Sequence, residues 1–303
     1  MYVRGAGQHE TVRTRRRGML EDTMMVTSPS ELILADDCGL ARHFKYTLKL
    51  RRAGSKGKSP TMASGTAVHY AVEAHLRNYG GTVPGVEDLV ALGREGLQGE
   101  FRHDEDGGVA NVKKYLPGVQ RALTRIPPWF WKEDWRVEEE VEGRFGRVVV
   151  RGRPDLVRFL NDEAPTVEVV DLKTTATDPL EFMLWSPQVR IYAAILAQMY
   201  PDRLVAYRYY CIPVGWKADV TNNPASFIFT DRVHAETVRE IERMASLLSG
   251  KPEARYARRC TWCEFKEICM ARITGADPAG VMGEMYERRL GREELERREN
   301  DDA

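Results

Sequence analysis

Two aspartates and a lysine in the middle of the chain have the spacing of a hydrolytic site. Asp155 follows a Gly-Arg-Pro bend, and Asp171 precedes Lys173 by two residues on a strand that returns after the turn around Glu163. An antiparallel register about that turn places Asp155 opposite Asp171, with Cβ atoms about 4.5–5.5 Å apart. Carboxylates this close repel each other unless a cation lies between them. Mg²⁺ binds one or two carboxylates and keeps positions for water and phosphate oxygens.

Lys173 projects from the same strand face as Asp171, because side chains two residues apart share a face. There it could orient an attacking water and offset negative charge on a phosphorus centre. The alternative is an exposed hairpin with solvated charges, and an acid-x-Lys triplet also occurs at 264–266. Apolar residues on both faces of the strand at 166–173 favour a buried strand and therefore a chemical role for its charges.

Two further pairs of polar residues lie four residues apart in predicted helices. His69 and Glu73 share one helix face, and so do Gln188 and Tyr192. A histidine that faces the two aspartates could be a further metal ligand, although a lone histidine is more often a satisfied core residue. Gln188 and Tyr192, taken alone, are simply polar residues on an amphipathic helix.

Four cysteines form a second candidate site. Cys260, Cys263 and Cys269 lie in a C-x2-C-x5-C run, Cys38 lies more than two hundred residues upstream, and Cys211 stands apart in an apolar run. Four thiolates suit zinc or an iron–sulfur cluster. Zinc ribbons usually bring two C-x2-C pairs, so the one-plus-three arrangement favours a 4Fe–4S cluster. Zinc, unliganded thiols and disulfides are the alternatives. Such a ligand set would tie the N-terminal helix to the C-terminal end of the fold.

The elements that position these residues follow from capping signals and periodicity. A helix begins after Ser28, with Ser28 as N-cap, Pro29 at N1 and Glu31 at N3 completing a capping box. The remaining predicted elements are helices at 65–79 and 86–102, β-rich sequence at 135–173, a helix at 179–199, strands at 204–213 and 225–230, and a helix at 233–249.

Composition and charge narrow the class of protein. The 303 residues carry no net charge, so there is no global sign of nucleic-acid binding. The segment Arg42–Lys58 contains seven Lys or Arg residues and no acid. It is either a solvated loop or a surface that contacts a phosphate backbone. Residues 1–18 lack the apolar region of a secretory signal, and no stretch approaches the roughly 18 apolar residues of a membrane span. We therefore expect reduced cysteines in a reducing compartment.

Together these motifs resemble the RecB-like nucleases of the PD-(D/E)xK superfamily. The motifs that carry the resemblance stand in that family's order over about residues 28–272: His69 in G-x3-H, Asp155 in G-R-P-D, the triplet Asp171-Leu172-Lys173, and Gln188-x3-Tyr192. The cysteines resemble those of the subset with an iron–sulfur cluster. That subset includes CRISPR-associated RecB-like exonucleases, the AddB nuclease domain, and related phage and bacterial exonucleases.

The resemblance implies an α/β fold, with a restriction-endonuclease-like mixed β-sheet core flanked by helices. It also implies an N-terminal helical part and a C-terminal iron–sulfur staple, meaning a cluster that ties the two ends together. By resemblance, Mg²⁺ or Mn²⁺ would be held by His69, Asp155, Asp171 and the Leu172 carbonyl. Lys173 would be catalytic, Gln188 and Tyr192 would line the DNA path, and Cys38, Cys260, Cys263 and Cys269 would hold a 4Fe–4S cluster.

The expected organisation is a flexible arm at 1–27, a nuclease domain at 28–275 and a charged helical or disordered tail at 276–303. The expected function is metal-dependent DNA exonuclease activity on single strands or ends, in recombination, replication or repair. Tyr192 or Trp185 would offer a face for base stacking. We expect a cytoplasmic location in a bacterial or phage-infected cell, with no membrane contact.

Because no G-x4-G-K-[ST] phosphate loop is present, the chain would work alone or with a helicase or recombination partner. One alternative is a non-catalytic iron–sulfur scaffold that binds DNA ends, or an accessory subunit of a helicase–nuclease or spacer-acquisition complex. The complete set Asp155, Asp171 and Lys173 argues against a scaffold. A redox sensor that acts through the cluster is another alternative.

Overall fold

The computed structural model describes residues 24–52, 60–101, 108–161, 164–175, 187–213, 226–256 and 258–288. The strands are β1 Met25–Thr27, β2 Leu50–Arg52, β3 Arg136–Val137, β4 Val141–Phe145, β5 Val148–Gly152, β6 Leu156–Leu160, β7 Thr166–Thr175, β8 Leu204–Pro213, β9 Phe227–Ile228 and β10 Tyr286–Arg288. The helices are α1 Pro29–Asp37, α2 Gly39–Arg42, α3 Pro60–Tyr79, α4 Val86–Phe101, α5 Val109–Thr124, α6 Pro128–Lys132, α7 Gln188–Met199, α8 Asp231–Ser246, α9 Lys266–Thr274 and α10 Pro278–Met285. A π-helical turn, His43–Thr47, follows α2, and a 3₁₀ turn, Arg258–Trp262, precedes α9.

The central sheet has the strand order β3-β6-β7-β8-β9 and is mixed. Strands β6 and β7 are antiparallel, and β7 and β8 are parallel. The predicted register is confirmed, because Leu160 pairs with Thr166 and Leu156 pairs with Val170. Asp155 immediately precedes β6, so continuing that register sets it beside Asp171. The apolar residues on both faces of β7 are buried, as the hydrophobic pattern predicts.

Helices cover both faces of this sheet. Helix α7, which connects the two parallel strands β7 and β8, packs on one face with α1 and α8. Helices α3 to α6 pack on the other face, where Trp131 and Phe130 fill the space next to the sheet. Because β7 is covered on both faces, the carboxylate of Asp171 near its end is buried.

Several element boundaries differ from the predictions. Helix α3 begins at Pro60, not at residue 65, and the predicted strand at 225–230 is reduced to Phe227–Ile228. Helix α8 begins at Asp231, because the Thr230 hydroxyl caps it by accepting a hydrogen bond from the Val233 N–H. The first half of the helix predicted at 179–199 lies outside the described residues.

The expected flexible arm at 1–27 is corrected at its end. Residues Met25–Thr27 form β1, which pairs in parallel with β5 in a second sheet of order β1-β5-β4. Met-Val-Thr has the apolar and β-branched side chains that suit a half-buried strand, and Thr27 is buried. Residues 1–23 lie outside the described part of the chain.

The capping signal at the start of α1 is confirmed in its first half. Ser28 is the N-cap, and its hydroxyl accepts a hydrogen bond from the Glu31 N–H. The Glu31 carboxylate does not complete the box. Instead it accepts hydrogen bonds from the Thr27 hydroxyl and from the Arg42 guanidinium at 2.6 Å.

The N-terminal and C-terminal segments meet in a third hydrophobic cluster. Phe44 of the N-terminal segment packs against Phe265, and Tyr286 stacks on the same ring. Strand β10 pairs antiparallel with β2. The tail expected to be helical or disordered therefore contains helix α10 and a strand up to residue 288, and the residues after it lie outside the described chain. Within the described residues, no helix combines the length and hydrophobicity that a bilayer crossing requires.

Candidate active site

Asp155 is held in place by backbone groups of the neighbouring strand and turn. The Leu172 N–H of β7 donates a hydrogen bond of 2.7 Å to Asp155 Oδ2. Two residues earlier in the turn, the Arg153 carbonyl accepts a 3.2 Å hydrogen bond from the Tyr192 hydroxyl of α7. The Gly-Arg-Pro-Asp bend is therefore fixed from both sides before any ligand binds.

Helix α3 brings a histidine and a glutamate to the same place. His69 Nδ1 lies 4.0 Å from Asp155 Oδ2. Three side chains each bring one potential ligand atom, and these atoms all lie within 4.8 Å of one another: His69, Glu73 and Asp155. The close approach of α3 to the end of β7 depends on Gly65, since a Cβ at that position would lie 2.5 Å from Thr174 Oγ1.

Lys173 is positioned between an acid and an amide. Its Nζ lies 2.6 Å from Asp171 Oδ2 and donates a 3.5 Å hydrogen bond to Gln188 Oε1. Asp171 is only 2% exposed, whereas the Lys173 side chain is 33% exposed. The ammonium group thus extends from a buried carboxylate toward solvent.

Burial dominates the electrostatics of the site. It raises the pKa of Asp155 to about 6, while the hydrogen bond from Leu172 and the charge of Lys173 oppose that rise. It likewise raises the pKa of Asp171 to about 6, against the nearby Lys173 charge. Burial, with the charges of Glu138 and Asp155, raises the pKa of Glu73 to about 7. Desolvation and mutual repulsion of the carboxylates both favour a bound cation or bound protons.

The donor atoms present fit a divalent metal ion. Two carboxylates and an imidazole converge within a few ångströms, and burial raises the pKa of both carboxyl groups. Carboxylate oxygens suit Mg²⁺ and Mn²⁺, and imidazole suits the later divalent metals. His69, Glu73 and Asp155 are the residues that would hold the ion.

The structure brings together most of the predicted site and changes two of its details. His69 and Asp155 converge as expected, and Glu73, a residue outside the predicted ligand set, joins them. The i, i+4 spacing from His69 is the signal that could have assigned it. Asp171 is beside Asp155 but lies outside this close group, and its carboxylate contacts Lys173. Leu172 contributes its N–H to Asp155.

Tyr192 does not offer a face for base stacking. It is only 5% exposed, and its hydroxyl donates to the Arg153 carbonyl. Burial strongly raises its pKa, as do the charges of Asp171 and Asp155. Tyr192 therefore supports the bend from within the core. Trp185, the other residue expected to stack on bases, lies outside the described residues.

The four cysteines of the second candidate site come together as predicted from their order. Burial, together with the neighbouring thiols of Cys263, Cys38 and Cys260, raises the pKa of the Cys269 thiol to about 11. All four are partly buried, while Cys211 is buried in the core beside α7. Among the described residues, no three of these thiols have sulfurs within 4.8 Å of one another.

The basic segment is partly neutralised by the protein itself. Arg51 pairs with Glu287 at 2.7 Å, and Arg52 pairs with Glu267 at 3.3 Å. Arg42 pairs with Glu31 in the capping region described above. Residues 53–59, which include two of the lysines, lie outside the described chain. Because the Arg51 and Arg52 side chains are about half exposed, their ion pairs are weak and phosphate could compete for them.

The sequence of residues 26–270 matches the family model of the PD-(D/E)XK nuclease superfamily, so the chain belongs to this superfamily. The crystal structure of a candidate exonuclease from Eubacterium rectale matches at 12% identity and a TM-score of 0.49, over 84% of this chain and 94% of that one. The crystal structure of SSO0001 matches at 16% identity and a TM-score of 0.29, over 79% and 95% of the two chains. No curated protein matches the sequence.

Proposed function

We propose that the chain is a Mg²⁺- or Mn²⁺-dependent DNA exonuclease of the RecB-like type, acting on single strands or DNA ends. One observation carries the proposal. At the end of β7, Lys173 lies 2.6 Å from Asp171, and Asp155, His69 and Glu73 converge beside it. A scaffold would gain nothing from this set, because buried like charges destabilise a fold.

Each residue of the candidate site has a separate role in the proposed hydrolysis. A bound divalent ion supplies positive charge to the scissile phosphate and lowers the pKa of a bound water. His69, Glu73 and Asp155 would hold that ion. Lys173, oriented by Asp171 and Gln188, places the attacking water and stabilises negative charge that develops on the phosphate oxygens. Tyr192 keeps the Asp155 bend in its position.

The preference for ends and single strands rests on the family resemblance and on the lack of a motor. The sequence has no G-x4-G-K-[ST] phosphate loop that could power strand separation. A duplex would have to be opened by fraying or by a helicase or recombination partner. The exposed part of the basic strand β2 is a candidate contact for the DNA backbone once phosphate displaces its acidic partners.

The four clustered cysteines are proposed to hold a 4Fe–4S cluster that ties α1 to α9. Four thiolates are the usual ligands of such a cluster. The one-plus-three order of Cys38 with Cys260, Cys263 and Cys269 supports it over zinc, because zinc ribbons usually bring two C-x2-C pairs. Zinc is the alternative that metal analysis of protein purified without oxygen would reveal.

The test uses matched variants of the two acid-x-Lys triplets. Asp171→Asn and Lys173→Ala should abolish cleavage and leave DNA binding largely intact, and Asp155→Asn should do the same. Glu264→Gln and Lys266→Ala alter the second triplet, on the surface near the cysteines, and should leave cleavage unchanged. The substrates are end-labelled linear single strands, linear duplex and circular single strands, each with Mg²⁺ or Mn²⁺.

Each outcome of this assay has a distinct meaning. Cutting of linear single strands but not of circles supports an exonuclease. Rapid cutting of circles would show an endonuclease. Full activity of Asp171→Asn would refute the site, and binding without cleavage by the unaltered protein on every substrate would favour the DNA-end-binding scaffold.

A further inference from the structure

Glu138 stands next to the candidate metal ligands without belonging to any predicted motif. It follows β3 directly, and the register of β3 with β6 pairs Val137 with Leu156. The next step of that register sets Glu138 beside Asp155, whose own neighbour across the sheet is Asp171. Three adjacent strands therefore present an acid at the same level of the sheet.

Glu138 contacts the site through its backbone and through its side chain. Its N–H donates a 3.1 Å hydrogen bond to the Asp155 carbonyl. Its side chain lies within hydrogen-bonding reach of the Glu73 carboxyl group, and Arg77 Nη2 lies 3.8 Å from its Oε2. One residue thus connects the strand that bears Asp155 to the helix that bears Glu73.

The backbone of Glu138 is held in an unfavourable conformation. Its φ is +49°, in the left-handed region that favours glycine and asparagine. Among the described residues outside glycine, only Lys49 shares a positive φ. A strained conformation persists where surrounding contacts over-determine it, and such positions cluster at functional sites. Here the contacts are those to Asp155 and Glu73.

We propose that Glu138 is a positioning residue, which sets the distance between Asp155 and Glu73 and so the affinity for the divalent ion. The proposal rests on the proposed function for the identity of the metal ligands. It does not require Glu138 to touch the ion or the DNA. Residues that contact a metal ligand without binding the metal typically contribute 10- to 100-fold to metal affinity or activity.

Three variants of Glu138 separate the effect of its backbone conformation from the effect of its side chain. Glu138→Val removes the carboxylate and resists the left-handed backbone, so Mn²⁺ binding should weaken about tenfold or more. Glu138→Gly keeps the backbone conformation and loses only the side chain, so the loss should be smaller. Glu138→Gln keeps the conformation and a hydrogen-bonding group for Glu73, and should restore Mn²⁺ affinity to near that of the unaltered protein. Glu139→Val, next to it in a surface ion pair with Arg136, is the matched control.

Mn²⁺ binding is measured by titration calorimetry and by the rise of the unfolding temperature with Mn²⁺, without DNA. The proposal is supported if Mn²⁺ affinity falls in the order Glu138→Gln, Glu138→Gly, Glu138→Val, while Glu139→Val binds Mn²⁺ with the affinity of the unaltered protein. It is overturned if Glu138→Val binds Mn²⁺ normally, if Glu139→Val is equally impaired, or if the unaltered chain binds no Mn²⁺. A chain that binds Mn²⁺ with this ranking but cleaves no DNA would refute the nuclease and leave the positioning role standing.

Discussion

Replacing Gly65 with alanine tests whether the approach of α3 to β7 places His69. Gly65 lies one helical turn before His69, on the same face of α3. The added Cβ would lie 2.5 Å from Thr174 Oγ1, about 0.9 Å short of the 3.4 Å at which ordinary contact begins. Unless the Thr174 hydroxyl rotates away, the helix must move from the end of β7 by most of an ångström, and His69 must move with it.

The expected effects on stability and on activity differ in size. Overpacking typically costs about 1–3 kcal/mol. Replacing glycine by alanine inside a helix contributes about 1 kcal/mol in the opposite direction. The unfolding temperature should therefore change little. A displacement of about 1 Å in a reacting group can cost roughly 100-fold in rate, so cleavage at saturating DNA should fall about that much.

A double-mutant cycle isolates the steric cause. Thr174→Ala removes the obstructing oxygen, and Thr174 Cβ would then lie 3.7 Å from the new methyl group, in ordinary contact. Gly65→Ala combined with Thr174→Ala should recover most of the activity lost by Gly65→Ala alone, and Thr174→Ala by itself should be nearly neutral. Full activity of Gly65→Ala, or no recovery in the double variant, would show that this contact does not position His69.

Three other perturbations have defined outcomes. Tyr192→Phe removes the hydrogen bond to the Arg153 carbonyl, so it should cost about 1 kcal/mol in thermal unfolding and lower kcat with little change in DNA affinity. Because burial raises the pKa of Asp155 above its unfolded value, its contribution to metal-free stability is full below about pH 4 and is lost as pH rises through about 6. Unfolding temperatures with and without Mn²⁺ should therefore diverge more at pH 8 than at pH 5, and Asp155→Asn should remove the difference. Cys38→Ala should lower iron content and unfolding temperature, whereas Cys211→Ala should leave iron content unchanged; equal iron loss in both would refute the ligand set.

The parts of the fold that depend on local signals were predictable. The register of β6 and β7 follows from one short turn between two apolar runs. The start of α1 follows from Ser28 and the proline after it. The strand β1 was not predictable, because three residues form it only by pairing with β5, more than a hundred positions away.

The site shows the same division between local and long-range information. Helical spacing placed Gln188 and Tyr192 on one face of α7, but it could not show that this face turns into the core near Tyr192. Nor could it show that Arg51 meets Glu287, since that contact depends on the pairing of β2 with β10. Glu138 carries no local signal, because its importance arises from its register with Asp155.

Buried acid alone does not identify a functional site in this sheet. Glu168 of β7 is fully buried, three residues before Asp171, and it is compensated within the protein. Arg158 lies 2.6 Å from it and Arg208 lies 3.3 Å from it, and the Ser226 hydroxyl also donates to it. Such an acid has its counter-charge within the fold and needs no ligand.

The end of β7 has the opposite charge balance. Four acids are gathered there, namely Glu73, Glu138, Asp155 and Asp171. Among the described residues, two cations contact them, Lys173 and Arg77, so the acids outnumber the cations. An uncompensated group of buried carboxylates is costly unless it binds protons or a cation. The two acidic places along β7 thus differ: the protein supplies the counter-charge for Glu168 but not for the group around Asp171. We infer that the deficit beside Lys173, and not burial or acidity alone, distinguishes this place as the candidate metal site.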